Sequence, residues 1–592
     1  MMEALMQLKT HRIISWLAML ALATGVLSGG CAIQSAEKKT APAPETEPQG
    51  EQPSEVEAKP PANSYYYYIE AQLQRRRGHI DAAIEYLEAA VSADPSAVYL
   101  KKELVVLYLH KKNYQKALEI AEKILDTEPK SPDILIMKAS ILRALDSKAD
   151  IIPIYEKVLS IDPKRQQVYN ILGKLYMDAG KLDKAAEVFR QMLEHFPEAY
   201  VGYFYLGKIH AEKDNFKKAE SEFKKTIELT PSLNQPRWEL IKLYKAKNMG
   251  QKVIALYEAI LERNPDNAVA AIELSLAYYE HFKTQAADEL LSDLGRRSVD
   301  QPGIIRTVIQ RLIFKERYDE ALTVLQGMLA GAPNHPGLHY AKGVVYYSLD
   351  KNEKARSAFD AVTPESSFYP NAAIHRAIIS YQQKKLDQAV DVLQGALETV
   401  DDEEKVKIIP YLSSFYKEEG ELDAAEALLK KGLKIEPKNT ELCFELGVLY
   451  DKKGRTDAAI EQMKRVIELD PDHADALNYL GYTYADQGIH LEKAEELVRK
   501  ALKHKPENGY IIDSLGWVYY KKGVFEKAAE YIEKAARLIP DDPVVLEHLG
   551  DVYDKLGKPQ KALDTYQRAL EKKAENADSL ESKIEALREN GL

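Results

Sequence analysis

The chain has 592 residues, 45% of them hydrophobic and 29% charged, with a formal net charge of -11. That balance argues against a nucleic-acid partner, because phosphate binding needs a concentrated basic face, and the one compact basic run of the repeat region, Arg75-Arg76-Arg77, reads as a solvated helix end. The two cysteines, Cys31 and Cys443, imply no disulfide framework.

Residues 1–31 read as an export signal. Lys9, His11 and Arg12 form a basic start, and Ile13 to Leu27 is a 15-residue apolar run, short of the roughly 20 residues that a membrane span needs. Leu27-Ser28-Gly29-Gly30-Cys31 follows and resembles the bacterial lipobox, in which Cys31 would be acylated and become the first residue. The match departs from the family pattern at Ser28, where leucine is usual. An ordinary signal peptide or an uncleaved anchor is the other reading. Ala32, in place of Asp after the cysteine, resembles lipoproteins sent to the outer membrane of Gram-negative bacteria, here on its periplasmic face. Residues 32–62 are rich in Pro and Glu and lack aromatics, so they read as a disordered tether. As a flexible coil it would span roughly 30 Å.

From residue 63 onward the chain repeats itself. Pro95, Pro129, Pro163, Pro197, Pro231 and Pro265 each stand 34 residues apart. In the C-terminal half the sequence carries Leu446-Gly447-Val448-Leu449-Tyr450, Leu480-Gly481-Tyr482-Thr483-Tyr484, Leu515-Gly516-Trp517-Val518-Tyr519 and Leu549-Gly550-Asp551-Val552-Tyr553, a recurring Leu-Gly-x-x-Tyr. Nine residues after each Tyr comes an alanine (Ala459, Ala528, Ala562), or ten in the case of Ala494. Small residues at the eighth and twentieth positions let two helices approach, large ones such as Phe189, Phe223, Phe359 and Tyr566 fill the remaining space, and proline ends the second helix.

On these residues the chain resembles the tetratricopeptide-repeat (TPR) family, whose unit is a 34-residue helix-turn-helix. The resemblance implies an all-α helix-turn-helix solenoid, a right-handed superhelix of about fifteen repeats in two arms. One arm is expected at 63–267 and the other at 303–576. Between them, 268–302 reads as a degenerate repeat or hinge, where Gly295, the polar run Arg296 to Gln301 and Gly303 mark a longer connection. Residues 577–592 read as a charged capping helix. Cys443 falls at a packed apolar position, and of Tyr65 to Tyr68 some must cap the array or meet a partner.

No catalytic constellation stands out, and neither a metal site nor a cofactor is expected. His335 and His339 are four apart, but Pro336 and Gly337 put His335 in a turn, so they are not expected to be ligands. What the family offers is a groove lined by first helices, and its exposed positions map here onto Asn478, Tyr482, Tyr510, Asp513, Trp517, Tyr520, Glu547 and Asp551. Aromatic rings on polar ground suit a peptide or protein partner. The competing reading packs Trp517 and Tyr482 between repeats. The Lys and Asn clamp that grips a terminal carboxylate in chaperone-type members is not reproduced, since the ninth positions hold Val448, Tyr482, Trp517 and Asp551.

The stretches Ala474 to Gly488, Ile511 to Gly523 and Glu547 to Gly557 resemble large Gram-negative TPR lipoproteins, one group of which is the adaptor of a carboxyl-terminal-processing protease. That resemblance implies a lipid-anchored periplasmic scaffold, without enzymatic activity, that brings the protease to cell-wall hydrolase substrates. Two readings compete with it. One is a structural subunit of an envelope export or outer-membrane assembly complex. The other is an enzyme with a site around Phe282 to Pro302, where His281, Asp288, Glu289 and Asp293 lie.

Overall fold

The computed structural model describes residues 63–145, 151–572 and 577–589. The expected export signal, Cys31 and the tether at 32–62 lie outside the described residues. Among the described residues there are 31 α-helices, one 3-10 turn at Ile313–Lys315 and no strand, and no described helix is long and apolar enough to cross a membrane. The helices follow one another as pairs, from Ser64–Arg76 with Ile80–Ala93 to Pro543–Lys555 with Pro559–Glu571, and a single helix, Ala577–Glu589, ends the series. Contacts divide the chain into two units between Phe282 and Lys283. The helix Ala268–Glu280 belongs to the first unit and Thr284–Ser298 to the second.

Within a pair, the small residue of the first helix meets a bulky one of the second, sixteen residues on or nearly so. A Cβ placed on Gly173 would lie 2.4 Å from the Phe189 ring, and one on Gly516 would lie 2.3 Å from Ile532. Gly207 with Phe223, Gly343 with Phe359, and Gly550 with Tyr566 repeat the arrangement. These glycines allow the backbone of one helix to rest on a ring or branched chain of the other, at the density of a close-packed interior.

The turn between the two helices needs a residue in the left-handed region. Gly180, Gly454, Gly523 and Gly557 supply it at φ between 66° and 76°, whereas Lys112, Asp214, Phe282 and Lys384 adopt the same conformation without being glycine. At the far end, the residue before each ruler proline leaves the helix: Asp162 sits at φ -135°, ψ 90° before Pro163, and Asp470 at φ -133°, ψ 91° before Pro471. The ten-residue spacing before Ala494 is absorbed at the same turn, where both Gly488 and His490 take positive φ.

The signature tyrosine links one repeat to the one before it. Tyr244 donates to Glu220 at 2.7 Å, Tyr519 to Glu495 at 2.8 Å and Tyr553 to Glu533 at 2.9 Å, and Tyr108 and Tyr176 donate to Glu88 and Glu156 in the same way. In every case the carboxylate is on the second helix of the preceding pair. Apolar packing also runs across this seam. In the second unit one continuous cluster extends from Cys443 and Met463 through Leu477, Ile512 and Ile532 to Val552, with Cys443 fully buried as a free thiol.

One expectation about the degenerate segment is corrected. Gly295 does not open a longer connection, because the helix Thr284–Ser298 runs through it and only Val299 to Pro302 joins it to the next helix. Gly295 serves close approach instead of a turn: a Cβ there would lie 1.9 Å from the Met328 carbonyl oxygen of the helix Tyr318–Gly331. In the same unit Asp293 pairs with Arg296 and Arg297, and Glu289 accepts from Gln285. His335 caps its helix by accepting from the Gly337 amide at 3.1 Å, and His339 lies 2.6 Å from the Pro333 carbonyl oxygen. At the start of the first unit Tyr67 and Tyr68 pack on the core while Tyr65 is 71% exposed.

Candidate functional site

The last three repeats of the second unit bring their first helices side by side: Ala474–Asp486, Gly509–Lys521 and Pro543–Lys555. Each is started by a side-chain cap that fixes its entry. His473 Nδ1 accepts from the Ala476 amide, Asn508 Oδ1 from the Tyr510 and Ile511 amides, and Asp542 Oδ1 from the Val544 and Val545 amides. With entry and glycine contacts fixed, side chains one repeat apart come to lie next to one another on neighbouring helices.

The eight residues expected in an exposed groove are all on this face, but they are not equally open. Tyr482, Tyr520, Glu547 and Asp551 are half-buried, whereas Asn478, Tyr510, Asp513 and Trp517 are buried. The expected exposure is corrected for those four. The reason is local: Trp517 stacks on His548 of the next helix with ring centroids 3.9 Å apart, and on Tyr520 at 4.7 Å. Its indole N–H donates to Asp486 Oδ1 at 3.1 Å. Trp517 therefore packs between repeats, as the competing reading had it, with an edge remaining at 7% exposure.

His548 is the residue that sequence reasoning missed. It is 5% exposed, and its Nδ1 lies 2.8 Å from Asp513 Oδ2. Burial pushes this imidazole down, but the Asp513 carboxylate, with Asp551 and Glu547 nearby, more than offsets it, so the His548 pKa is raised. The signal was present in the sequence. Asp513 and His548 are 35 residues apart, close to one period, and such residues meet on adjacent first helices. The same spacing joins Lys521, whose ammonium lies 4.9 Å from the Trp517 ring centroid, to the Asp486 carbonyl oxygen at 2.9 Å.

At the end of the row the helix Ala577–Glu589 buries Leu580 and Ile584 against Leu546, Ala562 and Tyr566. From that helix Lys583 reaches Glu547 at 2.8 Å and Asp551 at 2.6 Å, while the Tyr566 hydroxyl donates to Asp551 at 2.7 Å. Burial alone would lower the Lys583 pKa, but the hydrogen bonds and charges of Asp551 and Glu547 outweigh it, so the pKa is raised. The face thus combines flat rings with carboxylates. Ser514, on the helix Gly509–Lys521, donates to the Tyr510 carbonyl oxygen within its own helix.

Models described as tetratricopeptide repeat match residues 68–132, 172–234, 315–374, 416–480, 512–542 and 545–579. No curated protein matches the chain. Among solved structures, a tetratricopeptide repeat protein from Parabacteroides merdae is 16% identical, with 42% of this chain and 97% of that one covered and a TM-score of 0.34. PilF of Pseudomonas aeruginosa is 24% identical over 32% of this chain and 86% of its own, with a TM-score of 0.28. Yeast Tom70 is 13% identical over 89% and 96%, with a TM-score of 0.30. With the repeat visible in both sequence and helices, the model matches identify the chain as a member of the tetratricopeptide-repeat family, a scaffold type that binds other proteins.

Proposed function

We propose that the chain is a lipid-anchored adaptor of the bacterial envelope, tethered through Cys31 to the periplasmic face of the outer membrane, whose second unit binds a partner protein along the first helices of its last repeats. The observation that carries the binding part is the row of Tyr482, Asp513, Trp517 and His548, where rings and a carboxylate meet on adjacent first helices and Tyr482 stays half-buried. Aromatic anchors beside polar groups are where binding energy concentrates. The lipobox-like Leu27 to Cys31 and the resemblance to protease adaptors support the location and the partner class: a carboxyl-terminal-processing protease and cell-wall hydrolases that this chain would hold together, raising their effective concentration.

Two experiments test this. Labelling with a palmitate analogue in a Gram-negative host is expected to tag the chain and to fail for Cys31→Ala; equal labelling would remove the anchor. Capture of partners from detergent-solubilised envelope, using the full chain beside a Tyr482→Ala, Trp517→Ala double variant checked by thermal melting, is expected to recover a processing protease together with its hydrolases. Recovery of an export or outer-membrane assembly complex in their place would make the chain a structural subunit.

A further inference from the structure

The protein-binding reading above leaves open what chemistry this face selects, and the inference rests on that reading. Asn478 and Asp513 hold the fifth position of neighbouring repeats, on adjacent first helices. Asp513 is 3% exposed and gives Oδ2 to His548, yet its Oδ1 has no hydrogen-bond partner. Asn478 is 9% exposed, and its Oδ1 is unpartnered as well. Buried acceptors without donors are costly, and a native structure that keeps one on each of two adjacent first helices calls for a donor from elsewhere.

The surroundings say what kind of donor. Tyr482 projects from the turn after Asn478, with its ring 6.2 Å from that of His548, and its hydroxyl lies in the field of Asp486, Asp513, Glu547 and Asp451. The nearby cationic groups are already engaged: His548 lies against Asp513 Oδ2, Lys521 lies over Trp517 and bonds to Asp486, and Lys583 bridges Glu547 and Asp551. None of them is a hydrogen-bond partner of Asp513 Oδ1. An incoming carboxylate would be repelled, and an apolar side chain would leave both oxygens bare. A guanidinium or ammonium group carries only donors, neutralises a carboxylate and lies favourably on an aromatic face.

We propose that Asn478, Tyr482 and Asp513 form a subsite for an arginine or lysine side chain of an extended partner segment, with Asp513 Oδ1 and Asn478 Oδ1 accepting its N–H groups and the Tyr482 ring alongside its stem. The subsite makes the face selective by charge, in the opposite sense to a carboxylate clamp.

The test uses the full chain and fluorescence anisotropy with acetylated, amidated nonapeptides of Ser, Leu and Tyr in varied order, each carrying arginine, lysine, citrulline, norleucine or glutamate at its centre. Arginine or lysine is expected to bind about tenfold more tightly than citrulline or norleucine, the scale of one charge-assisted contact. Asp513→Asn is expected to abolish that preference. Because the Asn variant also alters the partner of His548, Asn478→Asp provides a second readout: it adds a carboxylate at the other oxygen and is expected to widen the preference for arginine. A free-amine peptide without a central cation distinguishes a side chain from a terminus, and its binding as tightly as the arginine peptide would overturn the side-chain assignment. Equal affinity for arginine and citrulline, a preference for glutamate, or no binding by any peptide at about 1 mM would overturn the subsite. Equal affinity would leave the protein-binding reading standing, whereas that reading fails only with the capture experiment.

Discussion

At the scale of single residues, the repeat is held by what glycine permits. Gly516 is one such case, since a Cβ would lie 2.3 Å from Ile532 Cγ1 and 3.2 Å from the Ala528 carbonyl oxygen. Gly516→Ala is expected to destabilise the second unit by about 1–3 kcal/mol, the usual cost of overpacking a dense interior, against a gain in helix propensity of about 1 kcal/mol. Thermal melting of the full chain measures the net effect, and a rise in midpoint would show that the helices can separate without loss. This pairing of a glycine with a bulky residue one helix later was legible in the sequence, because it depends on position within the period. Depth was not. Tyr482 and Trp517 hold the same ninth position, yet one is half-buried and the other buried, because Trp517 meets an imidazole on the next helix. Gly295 misled for a related reason: a glycine that accommodates a neighbouring backbone looks, in sequence, like one that makes a turn.

At the scale of helices, neighbouring pairs are joined by a recurring glutamate on the second helix. Hydrogen bonds from Lys224, Tyr244 and Lys252 hold Glu220 at a pKa of about 2; Lys430, Lys453 and Arg455 do the same for Glu426, and Lys522, Arg499 and Tyr519 for Glu495. A carboxylate with a depressed folded-state pKa contributes stability that is fully present above its unfolded value, here about 4.5, and is lost as pH falls towards about 2. Thermal midpoints are therefore expected to fall steeply between those limits, and Glu426→Gln should lower the midpoint at neutral pH while weakening the acid response. A midpoint independent of pH across that window would show that these seams carry no net electrostatic stability. Only the tyrosine half of this linkage could be anticipated as a recurring residue. Its glutamate partner sits among many other acidic residues on solvated faces, and nothing in its own spacing sets it apart.

At the scale of the whole molecule, contacts are between neighbours, so stability is expected to be local in the manner of repeat proteins. The division between Phe282 and Lys283 leaves Trp238 in the first unit and Trp517 in the second. In a Trp16→Phe background, urea unfolding followed through Trp238 alone and through Trp517 alone is expected to give different midpoints, and Gly516→Ala should shift only the second. Coincident midpoints that move together would make the chain one cooperative body.

The two kinds of contact also bear on how such a chain can be lengthened or shortened. A cut between the helices of one pair separates Gly516 from Ile532 and forces each to meet a stranger, at the risk of a steric clash. A cut between pairs parts links that recur from seam to seam, such as Tyr553 to Glu533 and Lys522 to Glu495, which a newly joined whole repeat can supply again. Duplication or deletion is therefore least damaging at the prolines, and the array is free to change its reach in whole repeats while the glycine and its bulky partner are inherited together.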